Sequence, residues 1–107
     1  MSSASGDMGN LLKQAQKMQA EIDRMESELS ESKLEGLAGG GAVRAHVSGD
    51  GQLTRVEISD AAFASTDKTL FEEMVTAAVR DGLERARALK KDRMKSAMGG
   101  LDLPGLF

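Results

Sequence analysis

Apolar residues in the first third of the chain recur at spacings of 4, 3, 4, 3 and 4: Leu11, Ala15, Met18, Ile22, Met25 and Leu29. That is the a/d seam of a long amphipathic helix, predicted to run from an Asn10 N-cap to about Lys33, roughly 36 Å. The methionines read as seam filling rather than a cofactor box. From Ala42 to Ile58 the period falls to two, and Asp50-Gly51 separates two runs rich in β-branched residues, a hairpin signal. With Asp50 and Gly51 as the loop, Val47 faces Thr54, Ala45 faces Val56 and Val43 faces Ile58 on one face. The opposite face pairs Arg44 with Glu57, His46 with Arg55 and Ser48 with Leu53. A one-residue slip would mix the two faces.

Leu34 to Ala38 reads as a short first strand and Gly39-Gly40-Gly41 as the turn after it. A tight turn there sets Leu34 and Gly36 beside Ala45 and Val43, and lines up Glu35, Arg44 and Glu57 on the polar face. The glycines lack the Lys-Ser/Thr and the strand-then-helix setting of a phosphate loop. Ser59 to Thr66 is a connection with one helical turn at Asp60 to Phe63. A second long helix is predicted to start between Thr66 and Thr69, with Thr69 and Glu72 as a capping box. Its apolar stripe is Phe71, Val75, Ala78, Val79, Gly82, Ala86 and Leu89, fading towards Ala97. The small residues at 78, 82 and 86 invite close approach by a helix or a sheet. The helix is expected to end before Gly99-Gly100. The domain thus spans 9–98, between an unstructured lead-in of residues 1–8 and a flexible, apolar-tipped tail, 99–107.

Two helices of 36–45 Å cannot fit within a compact 107-residue domain, whose radius of gyration would be about 13 Å. Both must overhang the sheet, and their apolar stripes predict an antiparallel arm. The fold class is therefore α+β. With three Phe and neither Trp nor Tyr, the core is small, which points to completion by oligomerisation. The absence of Cys excludes disulfides and thiolate metal sites and suits a reducing compartment. No apolar run reaches membrane-spanning length, and MSSASGDMGN has no signal-peptide pattern, so a cytoplasmic protein without membrane partners is expected.

A net charge of −3 weighs mildly against nucleic-acid binding, but the charge is polarised. Arg80 to Lys95 holds seven basic residues against three acidic ones, whereas Glu21 to Glu35 holds six carboxylates against Arg24 and Lys33. At about 100° per residue, Arg80, Arg87, Lys91 and Lys95 fall within roughly 80° of arc, interrupted by Glu84. Lys13, Lys17 and Arg24 share an outward face of the first helix. Antiparallel pairing predicts Lys13 and Lys17 beside the C-terminal half of the last helix. The acidic Glu21 to Glu31 stretch would lie near Asp67, Glu72 and Glu73, leaving basic tips on an acidic body that suits phosphate binding. The same charges also read as ordinary solvated faces. The chain has one His and no Cys or Tyr, and no Ser or carboxylate stands in a catalytic arrangement, so no enzyme, cofactor, metal or small-molecule substrate is expected. His46 reads as a surface-strand residue.

Three segments, GNLLKQAQKMQ (Gly9 to Gln19), GLAGGGAVRAHVSGDGQLTRVEIS (Gly36 to Ser59) and the ending MGGLDLPGLF, resemble the YbaB/EbfC family of bacterial nucleoid-associated proteins. The resemblance runs in order from about Met8 to Phe107. It implies an α-β-β-β-α protomer with a three-stranded antiparallel sheet, and a tweezer-like homodimer whose helical arms bind double-stranded DNA. It also implies a place in the cytoplasm on the nucleoid, with effects on nucleoid organisation and gene expression. It assigns DNA contact to the helices Asn10 to Lys33 and about Asp67 to Ala97 in general. The individual candidates Lys13, Lys17, Arg24, Arg80, Arg87, Lys91 and Lys95 come from helix geometry. No helix-turn-helix or zinc module is present, so phosphate and shape rather than base sequence would be read. The alternative is a protein-protein adaptor that uses the arms and the LPGLF tail.

Overall fold

The computed structural model describes residues 2–98, with side-chain surroundings from Asp7 onward. The chain runs α1 (Ser2–Glu31), β1 (Lys33–Ala38), a 3-10 turn (Gly39–Gly41), β2 (Val43–Ser48), β3 (Leu53–Ile58), α2 (Asp60–Ser65) and α3 (Lys68–Ala97). The strands form an antiparallel sheet in the order β1-β2-β3. The α+β class and the long helices flanking a three-stranded sheet are as the sequence implies. The element boundaries shift. α1 starts ahead of Asn10, which lies inside the helix rather than capping it, and ends at Glu31. Only Ser32 separates α1 from β1. Its hydroxyl donates to the Glu28 carbonyl at 2.9 Å, and its carbonyl accepts from the Gly49 amide at 3.1 Å. At the start of α3 the cap is Asp67, whose carboxylate accepts from the Leu70 amide at 2.8 Å, not Thr69. A carboxylate at that position satisfies an orphan N–H and complements the helix dipole.

The hairpin departs from its expected register at one end. Val43, Ala45, Arg44 and His46 pair with Ile58, Val56, Glu57 and Arg55 as anticipated, but Val47 pairs with Leu53 and Thr54 is the extra residue of a bulge. The loop is the reason. A two-residue type I′ turn needs φ > 0 at both central residues. Of Asp50 and Gly51, only Gly51 (φ 88°) has it. The Gly51 amide instead donates to the Ser48 carbonyl at 2.9 Å, and Ser48 N–H to the Gln52 carbonyl at 2.9 Å, which closes a three-residue loop. The buried Ser48 hydroxyl secures this loop by accepting from the Gln52 amide at 3.1 Å and donating to the Asp50 carboxylate.

The turn between β1 and β2 also takes more chain than expected. Gly39, Gly40 and Gly41 have φ of 60°, 67° and 96°, a run that side-chain-bearing residues rarely adopt. The glycines therefore serve a turn between strands. With Ala38 paired to Val43, Leu34 lies against Val47 and Gly36 against Ala45, two residues from the expected partners. Glu35 then sits directly across from His46 and reaches Arg44 diagonally, at 3.7 and 3.6 Å.

α3 covers the apolar sheet face. Val43, Ala45 and Val47 are buried with Ala78, Gly82 and Ala86 beneath them, and Val56, Ile58, Met74, Val75 and Val79 pack around. Each buried valine contributes ~1.5–3 kcal/mol. The helix can lie this close because Gly82 has no side chain; a Cβ there would come 2.7 Å from Val47 Cγ2. Asp81 closes the outer edge of β1 by accepting from the Leu37 amide at 2.9 Å.

Beyond the sheet, α3 meets α1. Met25 and Leu29 are buried there, and Glu21, Arg24, Met25 and Glu28 surround a hollow with Arg93, Ser96 and Ala97. The helices form the anticipated antiparallel arm, but only over this short overlap. Every residue from Asp7 to Ala20 is exposed. The radius of gyration is 20.7 Å and the extents are 76 × 26 × 17 Å.

Candidate nucleic-acid interface

The arm is where the basic side chains gather, and their positions follow from how each helix uses its length. α3 spends Phe71 to Ala86 over the sheet, so only its last turns project. α1 leaves the sheet at once, with a single linking residue, and projects for most of its 30 residues. Level with Glu21 to Met25 lies the described end of α3, so Lys17 and Lys13 stand beyond it, about 10 and 16 Å along the axis from Arg24. The expectation that Lys13 and Lys17 lie beside the C-terminal half of α3 is therefore corrected. The stretch that lies beside it is Glu21 to Glu28.

That apposition reverses a second expectation. The acidic half of α1 does not face the acidic start of α3. The start of α3 is at the opposite end of the sheet, where the Met74 side chain reaches Gly39. Glu21 and Glu28 instead line one hollow with Arg93, Ser96 and Ala97 near the end of α3. The last turns of α3 carry Arg87, Lys90, Lys91, Arg93 and Lys95 against Asp92, and α1 from 21 to 31 carries five carboxylates against Arg24. The two segments are oppositely charged and attract each other at close range, which offsets part of the outward field of the row.

All seven candidate side chains are exposed. Arg24 pairs within its own helix with Glu21 and, at 4.0 Å, with Glu28, so its charge is partly engaged. Among the described residues, Lys13, Lys17, Arg80, Arg87 and Lys91 form no ion pair. Arg80 shares a shallow hollow with Glu72 and Glu73 on the sheet-borne part of α3, about 22 Å along the helix from Lys95. It is not at the tip. Arg87 borders the hairpin loop at Gly49, Asp50 and Gly51 together with Lys90. Lys90 and Arg93 are basic residues that the helical-wheel reading passed over. Both were visible as charges, but their surroundings include the loop for Lys90 and α1 for Arg93, which a wheel of α3 alone does not show.

The remaining charged cluster is on the open sheet face. Glu57 accepts from Arg55 at 2.6 Å and lies 2.7 Å from His46 Nε2; the His46 contact foremost, then Arg55, holds its carboxyl below the usual range. Asp81 is likewise lowered, first by the Leu37 amide and then by Arg85 at 3.2 Å. Among the described residues no group of three or more His, Cys, Asp or Glu is placed to hold a metal ion, and no helix is long and apolar enough to cross a membrane.

A sequence profile described as the YbaB/EbfC DNA-binding family matches residues 5–101. The chain belongs to this family. The chain is also similar to two proteins named as nucleoid-associated: one of Desulfotalea psychrophila, 37% identical over 94% of each chain, and one of Thermoanaerobacter sp., 39% identical over 94% of this chain and 91% of the relative. A crystal structure of an uncharacterized protein from Helicobacter pylori is 26% identical, covers 88% of this chain and 92% of its own, and superposes with a TM-score of 0.64. The α+β architecture is thus shared by the YbaB/EbfC chain and a solved structure.

Proposed function

We propose that this protein binds duplex DNA as a nucleoid-associated homodimer in the bacterial cytoplasm, gripping phosphates with the projecting arms and influencing nucleoid organisation and gene expression. The observation that carries the reading is membership of the YbaB/EbfC DNA-binding family over residues 5–101. The exposed cations Lys13, Lys17, Arg87 and Lys91 along the arm support it, since affinity of this kind arises from phosphate neutralisation and counterion release. Two arms held as tweezers would double the contacts. Low sequence specificity accompanies contacts confined to phosphates. The domain bounds 9–98 and the tail belong to the same proposal, although α1 already begins at Ser2, inside the stretch expected to be an unstructured lead-in; the tail, 99–107, lies outside the described residues. Gel-shift titrations on unrelated duplexes at several salt concentrations, with wild type and a Lys91→Glu/Lys95→Glu variant, test it. Salt-sensitive binding weakened by the reversal supports the arm; equal binding by both proteins removes these residues from the site.

One observation favours a second reading, a protein-protein adaptor. Met8, Leu11 and Leu12 are 71, 65 and 60% exposed on α1. A nuclease-treated pull-down with the full chain and with a chain ending at Gly100 separates the two. Nuclease-resistant partners that disappear on truncation favour the adaptor.

A further inference from the structure

We propose that the C-terminal segment Leu101 to Phe107 covers the exposed apolar row of α1 in its own chain, lying along Leu11, Ala15 and Met18 where α3 stops short. The tail thereby gains a docking place, and the inference does not depend on DNA being the ligand of the arm.

The row continues a packed seam. At about 100° per residue, Leu11, Ala15 and Met18 fall in the same arc of α1, roughly 80° wide, as Ile22, Met25 and Leu29. Met25 and Leu29 are buried, whereas Met18 and Leu11 are 37 and 65% exposed. The length of α3 explains the change. Its last turns share a hollow with α1 between Glu21 and Glu28, and its half-buried Met94, Ala97 and Met98 mark the last described cover. A helix end with no packed face is marginal in water, so cover over this row also holds the turns that carry Lys13 and Lys17.

Direction, reach and chemistry select the chain's own C-terminal segment as the occupant. α3 runs antiparallel to α1, so its end at Met98 already heads towards Met18 and Leu11. From Ile22 to Leu11 is about 16 Å along the axis, and an extended chain the length of 99–107 spans about 30 Å. Gly99-Gly100 frees the chain from helix geometry, and Pro104-Gly105 opposes its return, which suits an extended course. From 101 to 107 the large side chains are Leu101, Leu103, Leu106 and Phe107, and Asp102 is the one charge. α1 from Met8 to Ala20 holds no acidic residue, and Lys13 and Lys17 lie roughly 120–160° from the centre of the row. An apolar strap there buries surface without desolvating a charge. Attachment to α3 keeps its effective concentration in the millimolar range, which favours it over a second copy or another protein. The lysines on the far side stay open to solvent.

The chain has no Cys, so cross-linking of the full-length protein can test the placement directly. Under mild oxidation Ala15→Cys/Asp102→Cys is expected to form an intrachain disulfide at least tenfold faster than Gln16→Cys/Asp102→Cys, whose first site lies on another side of α1. Equal rates would mean that tethering alone brings the groups together and overturn the docking. An interchain product from the first pair would put the segment on another copy and overturn the own-chain assignment. Ala15→Cys alone cross-linking between copies faster than the pair closes would make a second α1 the occupant instead. Hydrogen exchange needs no cysteine variant. Amides of residues 11–20 are expected to exchange at least tenfold faster in Leu103→Ser/Leu106→Ser/Phe107→Ser than in wild type, with those of β2 unchanged. Unchanged exchange in 11–20 overturns the strap. Whether the arm binds DNA enters none of these readouts, so a failure of the DNA reading is scored separately by the gel shifts.

Discussion

Gly36 of β1 and Gly82 of α3 meet backbone to backbone. A Cβ at Gly36 would fall 2.2 Å from the Gly82 nitrogen and 2.0 Å from the Ala78 carbonyl oxygen. The obstructing atoms are main chain and cannot rotate away, so any side chain at Gly36 pushes helix and sheet apart. Gly36→Ala is expected to destabilise by about 2 kcal/mol or more through overpacking, seen as a lower urea midpoint. An unchanged midpoint would mean the helix does not lie on Gly36.

The α1 seam is energetically divided. Leu29, 2% exposed, packs beneath the hairpin loop, whereas Leu12 is 60% exposed. Leu29→Ala is expected to cost ~2–5 kcal/mol. Leu12→Ala should alter protomer stability by no more than about 0.5 kcal/mol. Urea titrations of both variants check the contrast.

Asp81 links stability to pH. Its folded pKa is held below the unfolded value by the Leu37 amide and by Arg85, so its contribution is present above the ordinary carboxylate pKa of about 4 and is lost as pH falls towards the folded value. Asp81→Asn keeps an acceptor for Leu37 but has no charge to titrate. Wild type is expected to be more stable than the variant at neutral pH, with the difference closing below pH ~4. Thermal melts from pH 7 to 3 measure this, and a constant gap would remove the charge from the explanation.

Arm cations should differ in their effect on DNA binding. Lys13 and Lys17 stand on the free part of α1, so Lys13→Ala/Lys17→Ala is expected to flatten the log-affinity against log-salt plot by up to about 0.9 for each phosphate no longer neutralised. Arg80 sits beside Glu72 and Glu73 over the sheet, and Arg80→Ala should change the slope little. Equal changes in both variants would contradict an interface concentrated on the arm.

Much of this protein is written in local periodicity. The 4-3 spacing from Leu11 to Leu29, the alternation in β2 and β3 and the stripe through Ala78, Gly82 and Ala86 determined the elements, the α+β class and the buried sheet face. Side-chain direction repeats with the backbone and needs no distant partner to be read. The candidate cations were likewise recognisable as an exposed row. Tertiary structure decided what depends on two segments at once. Gly51 alone, not Asp50, takes positive φ, which moved Val47 onto Leu53 and made Thr54 a bulge. The single linking residue Ser32, set against the long run of α3 over the sheet, decided how the helices are offset. That offset put Glu21 and Glu28 around one hollow with Arg93, left Lys13 and Lys17 beyond the described end of α3, and kept Arg80 away from the arm. A helical wheel gives the angle of a charge about its own axis; only packing gives its height along the neighbour's, and short-range electrostatics depends on both.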